Sequence, residues 1–264
     1  MFIHNINPVL ASFGQFQIRY YGLFIVIDVI FTYFIIKYLA KKKGIDYTTE
    51  EVQDLMLWGV AGIFIGARVF YVLFYNLPYY SSHLWEVFAF WKGGLSFHGG
   101  IVGLIVGVFL FTRYKKKDFL AIGDVIAIPA CLALALGRFA NFLNGELVGR
   151  VTTLPWGVNF GGETDKLGNL VYRHPSQLYE SAKNLVIFAT LWTIKDFKKL
   201  KKGTLFALFV IMYSTMRFFI EFVREPDPQV GFVAFNFLTM GQVLNIVMLI
   251  CGIGLMIYVW RRKE

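Results

Sequence analysis

Seven stretches of nearly unbroken apolar residues, separated by short polar punctuation, organise this 264-residue chain. They are Tyr21–Ala40, Val52–Tyr75, Leu95–Phe111, Phe119–Phe142, Leu178–Ile194, Thr204–Val223 and Phe237–Trp260. About 20 such residues cross a bilayer as a helix, so each run predicts a transmembrane span. The third and fifth are short, and the sixth carries charges within an otherwise apolar run. Leu84–Trp91, rich in aromatics and carrying Glu86, predicts an amphipathic helix along the outer interface.

Four basic clusters test this count. Lys41-Lys42-Lys43 follows the first run, Arg113 with Lys115, Lys116 and Lys117 the third, Lys195 to Lys202 the fifth, and Arg261-Arg262-Lys263 the seventh. With seven crossings all four fall on one face, which the positive-inside rule assigns to the cytoplasm. A missed or false helix would split them. The expected fold is therefore an all-α polytopic membrane protein with seven transmembrane helices, its N-terminus outside and its C-terminus in the cytoplasm. Residues 1–264 are expected to form a single transmembrane domain. A small external subdomain of turns or short strands is expected between helices four and five, at about 144–177, where Pro155-Trp156-Gly157, Gly161-Gly162 and Asn169 occur.

Composition agrees: 57% of residues are hydrophobic and 18% aromatic, with a mean hydropathy of +0.58. The net charge of +9 alone would suggest nucleic acid, but the basic residues sit between apolar runs as topology demands, so no nucleic-acid partner is expected. Met1 to Gln15 lacks a basic segment ahead of its apolar residues, so no cleaved signal peptide is expected. Cys131 and Cys251 lie inside apolar runs and read as small hydrophobes. No metal site and no cofactor are expected, because neither ligand spacing nor a phosphate-cradling glycine loop is present.

The candidate chemistry lies in what interrupts the apolar runs. Gly137-Arg138-Phe139-Ala140-Asn141-Phe142-Leu143-Asn144-Gly145-Glu146 places an arginine, two asparagines and a glutamate at the end of a greasy helix. An ionisable side chain in a bilayer costs roughly 2.5–3.5 kcal/mol on insertion scales. Under the expected topology, Tyr21, His98, Arg138, Asn141, Asn144, His174, Gln177, Glu180, Arg217, Glu221 and Arg224 all fall in the outer half of the membrane. Arg138, Asn141 and Gly145 share one helix face, and Arg217, Glu221 and Arg224 share another. If those faces meet, the guanidiniums surround one cavity, partly balanced by Glu146 and Glu221. Arginine's planar fork suits phosphate oxygens, and a lipid phosphate lies at that depth.

Each residue also has a plainer reading. Arg217 and Glu221 form an intrahelical ion pair on spacing alone, Tyr21 is an interfacial anchor, and His98 bonds a backbone carbonyl. Gly99 and Gly100 serve close helix packing, Asn141 and Asn144 join helices, and Arg68 snorkels or meets a carboxylate. Asp28 and Asp124 have no evident role. Their common depth and the surplus of arginine favour one shared site.

Larger motifs then point to a family. Arg19-Tyr20-Tyr21-Gly22, Gly94 to Gly100, Gly137 to Glu146 continuing through Gly149-Arg150, Pro155-Trp156-Gly157, His174 to Glu180, and Arg217 to Glu221 with Arg224-Glu225-Pro226 together resemble prolipoprotein diacylglyceryl transferase, nearly end to end. One departure is Ala140, where that family commonly has glycine. The resemblance implies transfer of the diacylglyceryl group of phosphatidylglycerol to the lipobox cysteine of a preprolipoprotein, giving a thioether and glycerol 1-phosphate. It implies a multi-pass enzyme of the bacterial cytoplasmic (inner) membrane, among membrane lipids, and a monomer is expected. Carried onto matching positions, it makes Tyr21, His98, Arg138, Asn141, Glu146, Gly149, Arg217 and Glu221 functional; helix spacing and depth add Asn144 and Arg224 as substrate contacts. Arg138 and Arg217 then clamp the leaving phosphate, with Asn141 and Tyr21 bonding glycerol or phosphate. His98 is either a general base for the thiol or a positioning group, since an arginine-rich cavity can itself lower a thiol's pKa. A transporter or lipid flippase predicts a polar path into the inner half or repeated halves, and neither is seen. A receptor or scaffold offers no reason for buried arginines.

Overall fold

Each apolar run forms a helix, because an unbroken run inside lipid satisfies its own backbone. The computed structural model describes residues 2–45, 47–225, 232–234 and 238–262, without the side chains of Phe97, His98 and Phe232–Ala234. In chain order, β1 (Phe2–His4), β2 (Val9–Phe13) and β3 (Phe16–Arg19) lead into α1 (Tyr20–Lys42) and α2 (Thr49–Phe74). A short α3 (Leu77–Ser82) precedes α4 (Phe97–Tyr114), α5 (Phe119–Asn144) and β4 (Val158–Phe160). Then come α6 (Ser176–Ile194), α7 (Thr204–Ile220), β5 (Phe232–Ala234), β6 (Leu238–Thr239) and α8 (Met240–Arg261). Phe237, the expected start of the seventh run, lies outside the described residues. Among those described, α1, α2, α5 and α8 are long and apolar enough to cross a membrane, while Gly99–Tyr114 and Thr204–Ile220 are shorter apolar helices. The chain is thus a helical, polytopic membrane protein with small β elements.

Two compact units emerge, Met1–Ile35 with Gly123–Glu264, and Ile36–Ile122. The second is built on α2 and α4. A capping box opens α2, Thr48 accepting from the Glu51 amide while the Glu51 carboxylate accepts from the Thr48 amide. Glycines then let the helices touch: a Cβ on Gly103 would stand 2.0 Å from the Gly62 carbonyl oxygen, and one on Gly99 2.4 Å from that of Gly66.

Arg68, on α2, is 2% exposed. It does not snorkel, and it meets no carboxylate among the described residues. Its guanidinium donates to the carbonyls of Glu86, Val87, Ala89, Gly93 and Gly94, and lies over the rings of Tyr80 and Phe90. This explains why Leu84–Trp91 departs from the expected amphipathic helix. Two 3₁₀ turns, Leu84–Phe88 and Phe90–Lys92, instead aim these carbonyls at Arg68: those of Val87, Gly93 and Gly94 accept from its guanidinium, and those of Glu86 and Ala89 do so while also accepting from the amides of Ala89 and Lys92.

The larger unit holds the hairpin β2–β3 and the helices α5 to α8. Asp124, near the start of α5, accepts from the amides of Gly203 (2.9 Å) and Phe206 (2.9 Å), so it caps α7. Lys201 donates to the carbonyls of Trp260 and Arg262 at the last turn of α8. The basic end of α8 therefore lies beside the start of α7. The segment after α5 is part strand: β4 pairs in parallel with β1, Phe2 opposite Val158, a long-range match with no local signal in the sequence. Arg173 braces that segment, bonding both Glu163 oxygens at 2.7 Å and holding that carboxyl below the usual carboxylate range.

Candidate active site

Three polypeptide corners are braided at one end of the larger unit: the exit of α5, the entry to α6 and the exit of α7. Gly145 (φ 69°) ends α5 in the left-handed region, where glycine has no steric penalty. The turn brings Glu146 back onto its own helix, its carboxylate accepting from Asn141 and Asn144 Nδ2 at 3.3 Å each. Gln177 donates to the Glu146 carbonyl and Ser176 to that of Leu147 (2.9 Å), fastening α6 to the same turn.

Gly149 lies where these corners cross. A Cβ there would stand 2.6 Å from the carbonyl oxygens of both His174 and Val223. Its amide donates to His174, it bridges to Arg224, and the Arg150 guanidinium donates to the Arg224 carbonyl at 2.9 Å. The His174-Pro175-Ser176-Gln177 motif is thus a bracing corner; burial also keeps the His174 imidazole below its usual pKa.

Just inside these corners lies a buried ionic cluster. Arg138 Nε from α5 stands 3.0 Å from Glu180 Oε2 on α6, and Arg217 Nε from α7 stands 3.7 Å from that same oxygen. Arg217 Nη1 also pairs with Glu221, one turn on. The Glu180 side chain is 3% exposed and that of Arg217 7%, whereas Arg138 keeps 17%. Glu221 is itself fixed: Thr239 Oγ1 donates to it at 3.0 Å while also capping α8. A Cβ on Gly241 would stand 2.5 Å from Glu221 Oε1, so only glycine leaves that carboxylate its room. Lys183, one turn beyond Glu180, places Nζ 3.7 Å from the centre of the Tyr213 ring.

Of the sequence-predicted residues, Arg138, Arg217 and Glu221 share one cluster, with Asn141, Asn144 and Glu146 at the adjoining corner. Glu146 balances no guanidinium among the described residues; the shared counter-ion is Glu180, which sequence reasoning grouped with the other polar intrusions but left out of the site. A signal existed, since Gln177, Glu180, Lys183 and Asn184 share one buried face of α6 at helical spacing. The intrahelical pairing of Arg217 with Glu221 is real, but Arg217 also reaches α6. Arg224 contributes its backbone through Gly149 and Arg150. Tyr21 sits in the first turn of α1, 40% exposed, its hydroxyl without a hydrogen bond among the described residues. His98 lies in the first turn of α4, after the Ser96 cap; its side chain lies outside the described residues.

Such an arrangement can bind an anion. Two guanidiniums from different helices are oriented through Nε, the Arg138 terminal nitrogens making no hydrogen bond among the described residues. A family model described as prolipoprotein diacylglyceryl transferase matches residues 8–258. The phosphatidylglycerol–prolipoprotein diacylglyceryl transferase of Ehrlichia ruminantium (strain Welgevonden) is 42% identical over 252 residues, covering 94% of this chain and 95% of its own. That of Geobacter sulfurreducens is 41% identical over 260 residues, covering 98% and 97%. That of Legionella pneumophila (strain Corby) is 40% identical over 252 residues, covering 95% and 96%.

Proposed function

Because the chain belongs to the prolipoprotein diacylglyceryl transferase family, we propose that its ionic cluster is the lipid-phosphate site of that reaction. The protein is a transferase of bacterial lipoprotein maturation, moving the diacylglyceryl group of phosphatidylglycerol onto the lipobox cysteine of a preprolipoprotein. A C–S bond forms as the bond between the diacylglyceryl carbon and a phosphate oxygen breaks. The thiol gives up its proton, and glycerol 1-phosphate departs with a second negative charge.

Charge develops on the phosphate, so stabilisation belongs there. Arg138 and Arg217 form a preorganised clamp, with Glu180 and Glu221 fixing the guanidinium planes before lipid arrives. Asn141, Asn144 and Glu146 form a polar corner for the glycerol headgroup, alongside Arg224. Gly149 keeps the three corners closed. Tyr21 contributes a phenol to the headgroup. A free thiol has a pKa near 8.5, so at neutral pH the clamp's field or a base must favour the thiolate. His98 fills one of two roles, base or positioning group.

All seven apolar helices, the shorter ones included, cross the bilayer in this reading, with the N-terminus outside and the C-terminus in the cytoplasm. The basic ends of α1, α4 and α8 support that orientation, as does the gathering of α5, α6 and α7 polar ends away from Lys201. Residues 1–264 form one transmembrane domain with an external insertion at about 144–177. The protein works as a monomer in the cytoplasmic membrane.

The observation that carries this reading is that arginines from two helices meet one buried carboxylate oxygen. Purified protein is incubated with phosphatidylglycerol and a lipobox peptide, and the peptide is weighed by mass spectrometry. Addition of a diacylglyceryl group to cysteine, abolished in Arg138→Ala and Arg217→Ala proteins that remain folded, is the expected result. Full transfer in both variants refutes the clamp.

A further inference from the structure

Lys183 is 2% exposed and lies in α6, three residues beyond Glu180 on the same buried face. Its Nζ has no hydrogen-bond acceptor and no carboxylate partner among the described residues; it sits over the Tyr213 ring. An ammonium on a phenol face is favourable, but a lysine carried this deep into a membrane protein is costly and needs a reason.

Charge balance supplies one. Arg138 and Arg217 face Glu180 and Glu221, two charges of each sign, so the four together offer an incoming anion no net attraction. Lys183 lies within electrostatic range of Glu180, Arg217 and Arg138, and of Cys131 on α5. We infer that Lys183 is a positioning residue for the lipid phosphate: in its protonated form, which the facing Glu180 carboxylate favours, it offsets Glu180 from one turn deeper along α6 and leaves the arginine pair net positive. Glu180 thereby orients both guanidiniums without cancelling them. The inference rests on the clamp reading above.

The test separates an electrostatic role from packing by comparing a charged with an uncharged ligand. Full-length Lys183→Met, Lys183→Gln and Lys183→Arg proteins are purified in detergent, and dissociation constants are measured for glycerol 1-phosphate and for diacylglycerol. Glycerol 1-phosphate binding weakens about tenfold in Lys183→Met, the effect of one unit charge acting through an intermediate dielectric, while diacylglycerol binding is unchanged. Lys183→Arg retains near-native binding of both. The KM for phosphatidylglycerol rises in the Met variant and that for the lipobox peptide does not. Should Lys183→Met fail to fold, Lys183→Gln carries the same expectation. Equal weakening of both ligands, or anion affinity within twofold of native, overturns the inference. Arg138→Ala is measured beside them. Anion binding lost there but kept in Lys183→Met overturns Lys183 alone; anion binding kept in both overturns the clamp.

Discussion

Replacing Glu180 by glutamine removes one charge and almost no volume from the centre of the cluster. At an effective dielectric of about 20, the contacts at 3.0 and 3.7 Å each represent roughly 5 kcal/mol of gross attraction, most of it offset by desolvation of the groups. Breaking a buried ion pair by truncating one partner costs about 3–5 kcal/mol. The amide oxygen of glutamine still accepts one guanidinium proton, so Glu180→Gln should cost less, about 1–3 kcal/mol, and Glu180→Ala the full amount. Function should separate into two effects of opposite sign. Untethered guanidiniums lose their alignment, slowing transfer on the order of a hundredfold, since misplacement of about 1 Å has that effect. The cluster has meanwhile lost a negative charge, so glycerol 1-phosphate should bind more tightly than to the native protein. The assay pairs thermal unfolding in detergent with kcat and the dissociation constant for glycerol 1-phosphate. Native kcat with unchanged anion affinity would refute the reasoning, because Glu180 would then orient nothing and cancel nothing.

Three further substitutions probe the scaffold. Gly149→Ala pushes a methyl group into two carbonyl oxygens and should destabilise by about 1–3 kcal/mol, read as a lowered midpoint of thermal unfolding together with reduced transfer. Asp124→Ala removes acceptors from two backbone amides at the start of α7 and should lower stability by about 1–2 kcal/mol, with KM for both substrates unchanged. Arg68→Lys replaces a planar five-donor fork with a point donor. It should release the Leu84–Lys92 turns, seen as faster proteolysis or amide exchange there, while α2 and α4 stay protected.

The helices were legible because apolar length is a strong signal, and each apolar run is a helix with ends displaced by only a few residues. The shift at the start of α2 has a visible cause, the capping box of Thr48 and Glu51 drawing the helix back before its first apolar residue. Long-range pairing was not legible: nothing near Phe2 announces that it will lie beside Val158. Nor was the partner of Arg68, since backbone carbonyls carry no residue code. At the site, spacing placed Arg138 and Arg217 on inward faces, yet proximity in sequence favoured Glu146 and Glu221 as their counter-ions. Gly145 turns Glu146 toward Asn141 and Asn144, and the vacancy is filled by Glu180 from another helix. A guanidinium's choice among carboxylates is made by tertiary packing. The polar stripe on α6 was the sequence's only hint of it.

The most direct test of the account is a structure of the protein bound to phosphatidylglycerol in a lipid bilayer disc. Guanidinium nitrogens of both Arg138 and Arg217 should lie about 3 Å from oxygens of one phosphate, with Glu180 still bridging beneath them. A phosphate held elsewhere, or touched by one arginine while the other stays sealed between Glu180 and Glu221, contradicts it.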